Sequence, residues 1–198
     1  AGFIKWIADG LVEPVAGSKL KRQPLLVETV SVKENGYQGV LSQKYNLFFS
    51  LDWIRNIAAA LISVNTGKLY MYNESGADVT INPFAATIGA TGTVNTVTFI
   101  EDSGYNVSVL QSLLYVLAAS EPGNFYFGAI RETDKTVSPE VKVFNDCVAF
   151  FPYFSNKAFG CFVFMNGRAI SLEDFCMLYK DASVYLTRAR ASDNFYPE

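Results

Sequence analysis

Three strand-length apolar segments follow one another with no helical pattern between them: Asn124 to Arg131, Val141 to Phe151 and Ala158 to Met165. In the last of these, Phe162 and Phe164 fall on one side at period two, and Cys161 and Val163 fall on the other. Both sides are apolar, which predicts burial on both faces of a sheet. Asn166-Gly167 then supplies a hairpin turn. Phe144, Phe150, Phe151, Tyr153, Phe154 and Phe159 lie in the same stretch. They cannot all point one way, so some of these rings are expected to reach a partner.

Helical stripes surround this region. Ile54, Ile57, Ala58, Leu61 and Ile62 recur at i, i+3, i+4, i+7 and i+8, predicting a helix capped by Ser50 and running to about Val64. Leu110, Leu113, Leu114 and Leu117 predict a second over 107–119, stopped by Glu121-Pro122-Gly123. Ser171 and Asp174 form a capping box ahead of a short helix lined by Leu172, Phe175, Cys176 and Tyr179. Ser183 to Arg190 closes as a strand. Near the start, Phe3, Ile4, Ile7 and Leu11 share one face of an amphipathic helix over 3–12, expected to end near Gly10 and Pro14. Residues 14–24 read as a linker. Leu25 to Lys33 and Tyr37 to Leu41 predict strands around an Asn35-Gly36 turn. Lys68 to Asn73 and Ala77 to Asn82 predict a further hairpin, 85–92 a loop and Thr93 to Ile100 a strand.

Strands and helices mix without regular alternation. The fold expected is therefore α+β, a β-rich antiparallel or mixed sheet with two or three packed helices. A β-sandwich or jelly roll with helical insertions is the alternative. Residues 1–24 are expected to form an N-terminal helical arm and linker, and 25–198 a single globular domain. An arm of this length is marginal as an isolated helix and must dock, on its own domain, on a neighbouring subunit or on a membrane surface.

Hydrophobic residues make up 50% of the chain and charged residues only 18%, beside 16 Phe and 11 Tyr. That excess predicts exposed aromatic surface as well as a large core. The net charge of −3 argues against nucleic acid as the main ligand. Lys19, Lys21 and Arg22 read as a solvated linker, and Arg188 and Arg190 as an exposed strand face. No run of 18 uncharged apolar residues exists, so no transmembrane segment is expected, and no signal peptide opens the chain. Cys147, Cys161 and Cys176 are an odd, unpaired set among apolar neighbours, read as core residues of a protein folded in a reducing compartment, in a virion or the cytoplasm. The termini are expected to be ordered and held by partners.

The chain has no histidine. Ser-His-Asp and Cys-His catalysis and most catalytic zinc sites need an imidazole. Glu101-Asp102 reads as a polar turn, and Glu173-Asp174 as acids favoured by a helix N-terminus. Thr66-Gly67-Lys68 looks like the end of a phosphate loop, but Leu69 and Ile62 stand where that loop needs a hydroxyl and a glycine. No catalytic residue, metal ligand or cofactor is expected. A buried pair of acids from separate elements, such as Asp52 with Glu101, would point instead to a His-free enzyme.

The segments Phe151-Pro152-Tyr153-Phe154-Ser155 and Ala191-Ser192-Asp193-Asn194-Phe195 resemble strand-flanking segments in jelly-roll capsid proteins of picorna-like viruses. The resemblance implies a virion protein and assigns no site residue. The function expected is a structural subunit of a large assembly, a virus or phage virion protein of capsid or tail, acting through contacts with protein subunits of the same or another kind. Phe3, Trp6, Ile7, Tyr153 and Phe154 are the expected interface residues. A non-enzymatic binding module with an aromatic pocket for a small ligand or peptide is the alternative reading.

Overall fold

The apolar run beyond Asn124 forms the middle of one sheet in the computed structural model, which describes residues 1–30, 46–83, 85–88, 92–95, 97–136 and 138–190. The strands are β1 (Ala85–Ile88), β2 (Gly92–Asn95), β3 (Tyr105–Asn106), β4 (Asn124–Asp134), β5 (Val141–Ser155), β6 (Ala158–Met165), β7 (Arg168–Ile170) and β8 (Ser183–Arg190). The α-helices among the described residues are α1 (Gly2–Ala16), α2 (Phe49–Thr66), α3 (Leu110–Ser120) and α4 (Leu172–Leu178). β1 and β2 make a hairpin of their own, and the other strands form one antiparallel sheet in the order β3-β8-β4-β5-β6-β7. The protein is thus an α+β fold. Among the described residues the two sheets are unequal and do not form a jelly roll.

Alternation along β4 explains the layering. Phe125, Phe127 and Ala129 pack on one face with α1 and α2. Tyr126 and Ile130 pack on the other with α3 and α4. Helices therefore cover both faces, and the central strand has no need of a polar side. Truncating a fully buried ring such as Phe127 would cost about 3–5 kcal/mol.

Several local expectations change. Pro14 does not stop α1, which runs to Ala16 and ends where Gly17 turns left-handed at φ 67° and donates its N–H to the Glu13 carbonyl at 2.9 Å. Pro14 deprives the Gly10 carbonyl of its donor, and Gly10 is exposed to water. Ile4, Ala8, Leu11 and Val12 form the buried stripe, with Phe3 and Ile7 half-buried beside it. The indole N–H of Trp53 on α2 donates to the Ala1 carbonyl at 2.9 Å, and buried Asp9 accepts from Lys5 and from the Leu20 N–H. α1 thereby shares the core of the α2 face.

Ser50 lies buried inside α2 and is not its cap, because the helix begins a residue earlier at Phe49. Residues 23–26 form a 3-10 turn that takes in the first two residues of the strand expected from Leu25, 27–30 form no strand, and the rest of that expected hairpin, from 31 on, lies outside the described residues. The expected hairpin over 68–82 is absent. Tyr72–Glu74 is a 3-10 turn, and the following segment lies along β8, with the Val79 N–H donating to Leu186 and the Arg188 N–H to Ala77. The expected loop at 85–92 instead contains β1 and the start of β2, and the strand expected over 93–100 ends at Asn95. Small residues and Thr hid the pairing.

Arg188 is the clearest correction on β8. Its guanidinium grips Glu121 through two contacts of 2.7 Å, and a third nitrogen donates to the Asp78 carbonyl at 2.6 Å. Burial alone would raise the Glu121 pKa. The Arg188 hydrogen bonds and charge, with help from Asn124 and Tyr126, outweigh it and hold the carboxyl below its usual value of 4.5. A depressed acid stabilises the fold above its unfolded pKa, and that stability is lost as pH falls through the folded value. Glu121→Gln should therefore cost about 1.5–3 kcal/mol at neutral pH. In denaturant melts this difference should shrink as the pH falls below 4.5.

Candidate functional site

β5 and β6 outrun the sheet. The β4–β5 ladder stops at Tyr126 opposite Phe150, and β7 pairs with β6 only over Val163 to Met165. β5 and β6 continue pairing with each other to Ser155 opposite Ala158. Among the described residues, 151–162 is therefore a two-stranded ribbon with neither outer edge paired. Asn156 and Lys157 both have positive φ, 49° and 66°, the pattern of a two-residue turn that matches strand twist.

The ribbon is aromatic on both faces. On the α1–α2 side, Phe125 stacks on Phe151 at 4.8 Å and Tyr153 on Phe162 at 5.1 Å. Gly160, opposite Tyr153, makes room for this: a Cβ there would lie 2.6 Å from the Tyr153 ring. On the α3 side, Tyr115 meets Phe154 at 5.2 Å and Phe159 at 5.6 Å. These rings are far from enclosed, with Phe162 55%, Tyr115 49%, and Tyr153 and Phe154 each 40% exposed. The expectation that β6 is buried on both faces thus fails before Val163, because no helix among the described residues covers the outer part of the ribbon on the Phe162 side. A groove of about 550 Å³ runs beside the β5 edge, lined by Pro122, Phe125, Phe151, Pro152 and Phe154 among others.

The structure thus places Tyr153 beside Phe162 on one face of the ribbon and Phe154 with Phe159 and Tyr115 on the other. The sequence did not single out Tyr115 on α3, whereas Phe159 and Phe162 lay in its aromatic run. Their signal was present in the pairing of two aromatic strands around Asn156-Lys157. Phe3, Trp6 and Ile7 lie on α1. Trp6 is 70% exposed and stacks on Phe3, while Ile7 packs partly against the core.

A second, polar cluster lies where α2 meets β8. Arg55 is buried. Its Nη1 donates to Thr29 Oγ1 at 3.2 Å and its Nη2 to the Tyr185 hydroxyl at 2.8 Å, while Nε sits 3.4 Å from Asp78 Oδ2. The guanidinium also lies over the rings of Tyr185 and Tyr72, at 4.5 and 5.1 Å. Asp52 accepts from the Thr29 N–H and hydroxyl at 2.8 and 2.7 Å. Burial raises the pKa values of Asp52 and Asp78 above the ordinary aspartate value, against the pull of Thr29 and Arg55 on the first and of Arg55 and Tyr185 on the second. An open cavity of about 710 Å³ adjoins the cluster, with Asp78, Glu101 and Asp102 in its wall. Asp52 is not in that wall, so the pair Asp52 with Glu101 does not face one cavity. The bonds of Arg55 and Asp52 tie α2 to Thr29, Asp78 and β8, and Arg55 also lines the cavity.

Gly67 ends α2 in a left-handed conformation, so Thr66-Gly67-Lys68 closes a helix and offers no phosphate-binding N-terminus. Among the described residues no cluster of His, Cys, Asp or Glu could hold a metal ion, and no helix is long and apolar enough to cross a membrane. The three cysteines are free, and burial raises the pKa of each. Compared with known proteins, the chain matches no family model, no curated protein and no solved structure.

Proposed function

We propose that the protein is a structural subunit of a larger protein assembly, of the kind that builds a virus or phage virion, and that it acts through subunit contacts made by the β5–β6 ribbon. The observation that supports this is the ribbon itself: three exposed rings, Tyr153 and Phe162 on one face and Phe154 on the other, on two strands whose outer edges are unpaired among the described residues. Aromatic rings held by a rigid backbone lose little entropy on docking and are favoured anchors of interfaces. Phe151 to Ser155, one of the segments that resembles virion proteins, lies on this ribbon.

The contact should depend on the rings and not on the fold beneath them. Tyr153→Ser with Phe154→Ser should weaken association at least about tenfold, 1.4 kcal/mol, in sedimentation velocity. Far-UV circular dichroism should be unchanged. Association equal to that of the native chain would sink the proposal.

A second reading has support in the groove beside β5, which is large enough for an extended peptide and is walled by Phe125 and Phe151. Under that reading the protein binds a peptide as a monomer.

A further inference from the structure

The two unpaired edges of the ribbon are not alike. The β5 edge carries Pro152, which lacks an N–H, and the loop at 121–124 walls it off in a groove. Proline and covering loops are the usual protections of an exposed edge. The β6 edge, Ala158-Phe159-Gly160-Cys161-Phe162, has neither proline nor charge, and the nearest charge, Lys157, sits in the turn. β7 ends its pairing at Val163 and leaves this edge open.

We infer that this β6 edge pairs antiparallel with the same edge of a second copy of the chain, across a two-fold axis. The inference rests on the subunit reading and names its partner. An antiparallel edge is self-complementary, because a two-fold rotation presents the same donors and acceptors to themselves. No charge lies along 158–162, so two copies meet without like-charge repulsion. The register that uses the whole free edge sets Gly160 opposite Gly160 and Phe162 opposite Ala158. A large ring then lies beside a small residue on the face already occupied by Tyr153. On the other face Phe159 comes opposite Cys161. The sheet would continue through the axis, and the ribbons of both copies would gain the neighbour they lack.

Hydrogen exchange of the full chain at low and high concentration, read by mass spectrometry with the native mass followed in parallel, tests this. At the concentration where the mass doubles, outward-facing amides within 158–162 should slow by at least about tenfold. Phe162→Lys should return both mass and exchange to the monomer's values, since lysine on an open edge opposes pairing. If the mass rises but these amides exchange as before, the edge pairing is overturned and the broader subunit reading stands. If the mass never rises above that of one chain, self-pairing is overturned outright, and only association with a different subunit would preserve the broader reading.

Discussion

Gly104→Ala is expected to cost roughly 2–6 kcal/mol, the sum of forcing a side chain into the left-handed region and into packed backbone. Gly104 has φ 82°, and a Cβ there would meet the Val184 carbonyl oxygen at 2.1 Å and Tyr185 Cα at 2.6 Å. The obstacle is the backbone of β8, held between β3 and β4, so no rotamer change relieves it. The turn also exchanges two backbone hydrogen bonds with Ile100, at 2.8 and 2.9 Å. Beyond it, fully buried Tyr105 donates its hydroxyl to the Ile81 carbonyl at 2.7 Å. Displacing β3 would therefore disturb the α3 side of the core. A single domain has only about 5–15 kcal/mol of stability in all. Urea melts should show a large drop in midpoint, and a change within about 0.5 kcal/mol of the native protein would contradict the close packing of β3 on β8.

Arg55→Met has the second large expected effect, about 3–5 kcal/mol at neutral pH, because it leaves Asp52 and Asp78 buried without their cation. The pH dependence gives the mechanism away. Both aspartates already titrate above the ordinary 3.8, since burial disfavours their charged forms. A raised acid helps the fold below its unfolded pKa, and that help is lost as pH rises through the folded value. Removing Arg55 takes away a charge that lowers both, so their folded values climb further and the penalty at neutral pH grows. The gap between native protein and variant in denaturant melts should be widest near pH 7 and should narrow toward pH 4. A gap independent of pH would mean that Arg55 acts through packing on Tyr72 and Tyr185 alone.

The sequence carried the elements whose side chains repeat with a clear period. The leucines of α3, the Ser171 cap, whose Oγ accepts from the Asp174 N–H at 2.9 Å, and strands β4, β5, β6 and β8 all fall where the pattern put them. What it hid depends on contacts distant in the chain. Arg188 reads as a surface residue until Glu121, 67 positions earlier, is brought against it. Arg55 reads as one polar residue on a helix until Thr29, Asp78 and Tyr185 converge on it. The ribbon was half legible. Its aromatic strands could be read, but where β4 and β7 stop pairing is set by strand register, which no local pattern encodes. That stopping point turns Phe162 from a core residue into an exposed one.

The central claim is that the ribbon is a contact between subunits. Static light scattering of the unaltered chain across rising concentration tests it most directly. The account predicts a mass that climbs from one chain to two or a higher even multiple, and that falls back on dilution. A mass of one chain at every concentration would contradict contact between copies of this chain.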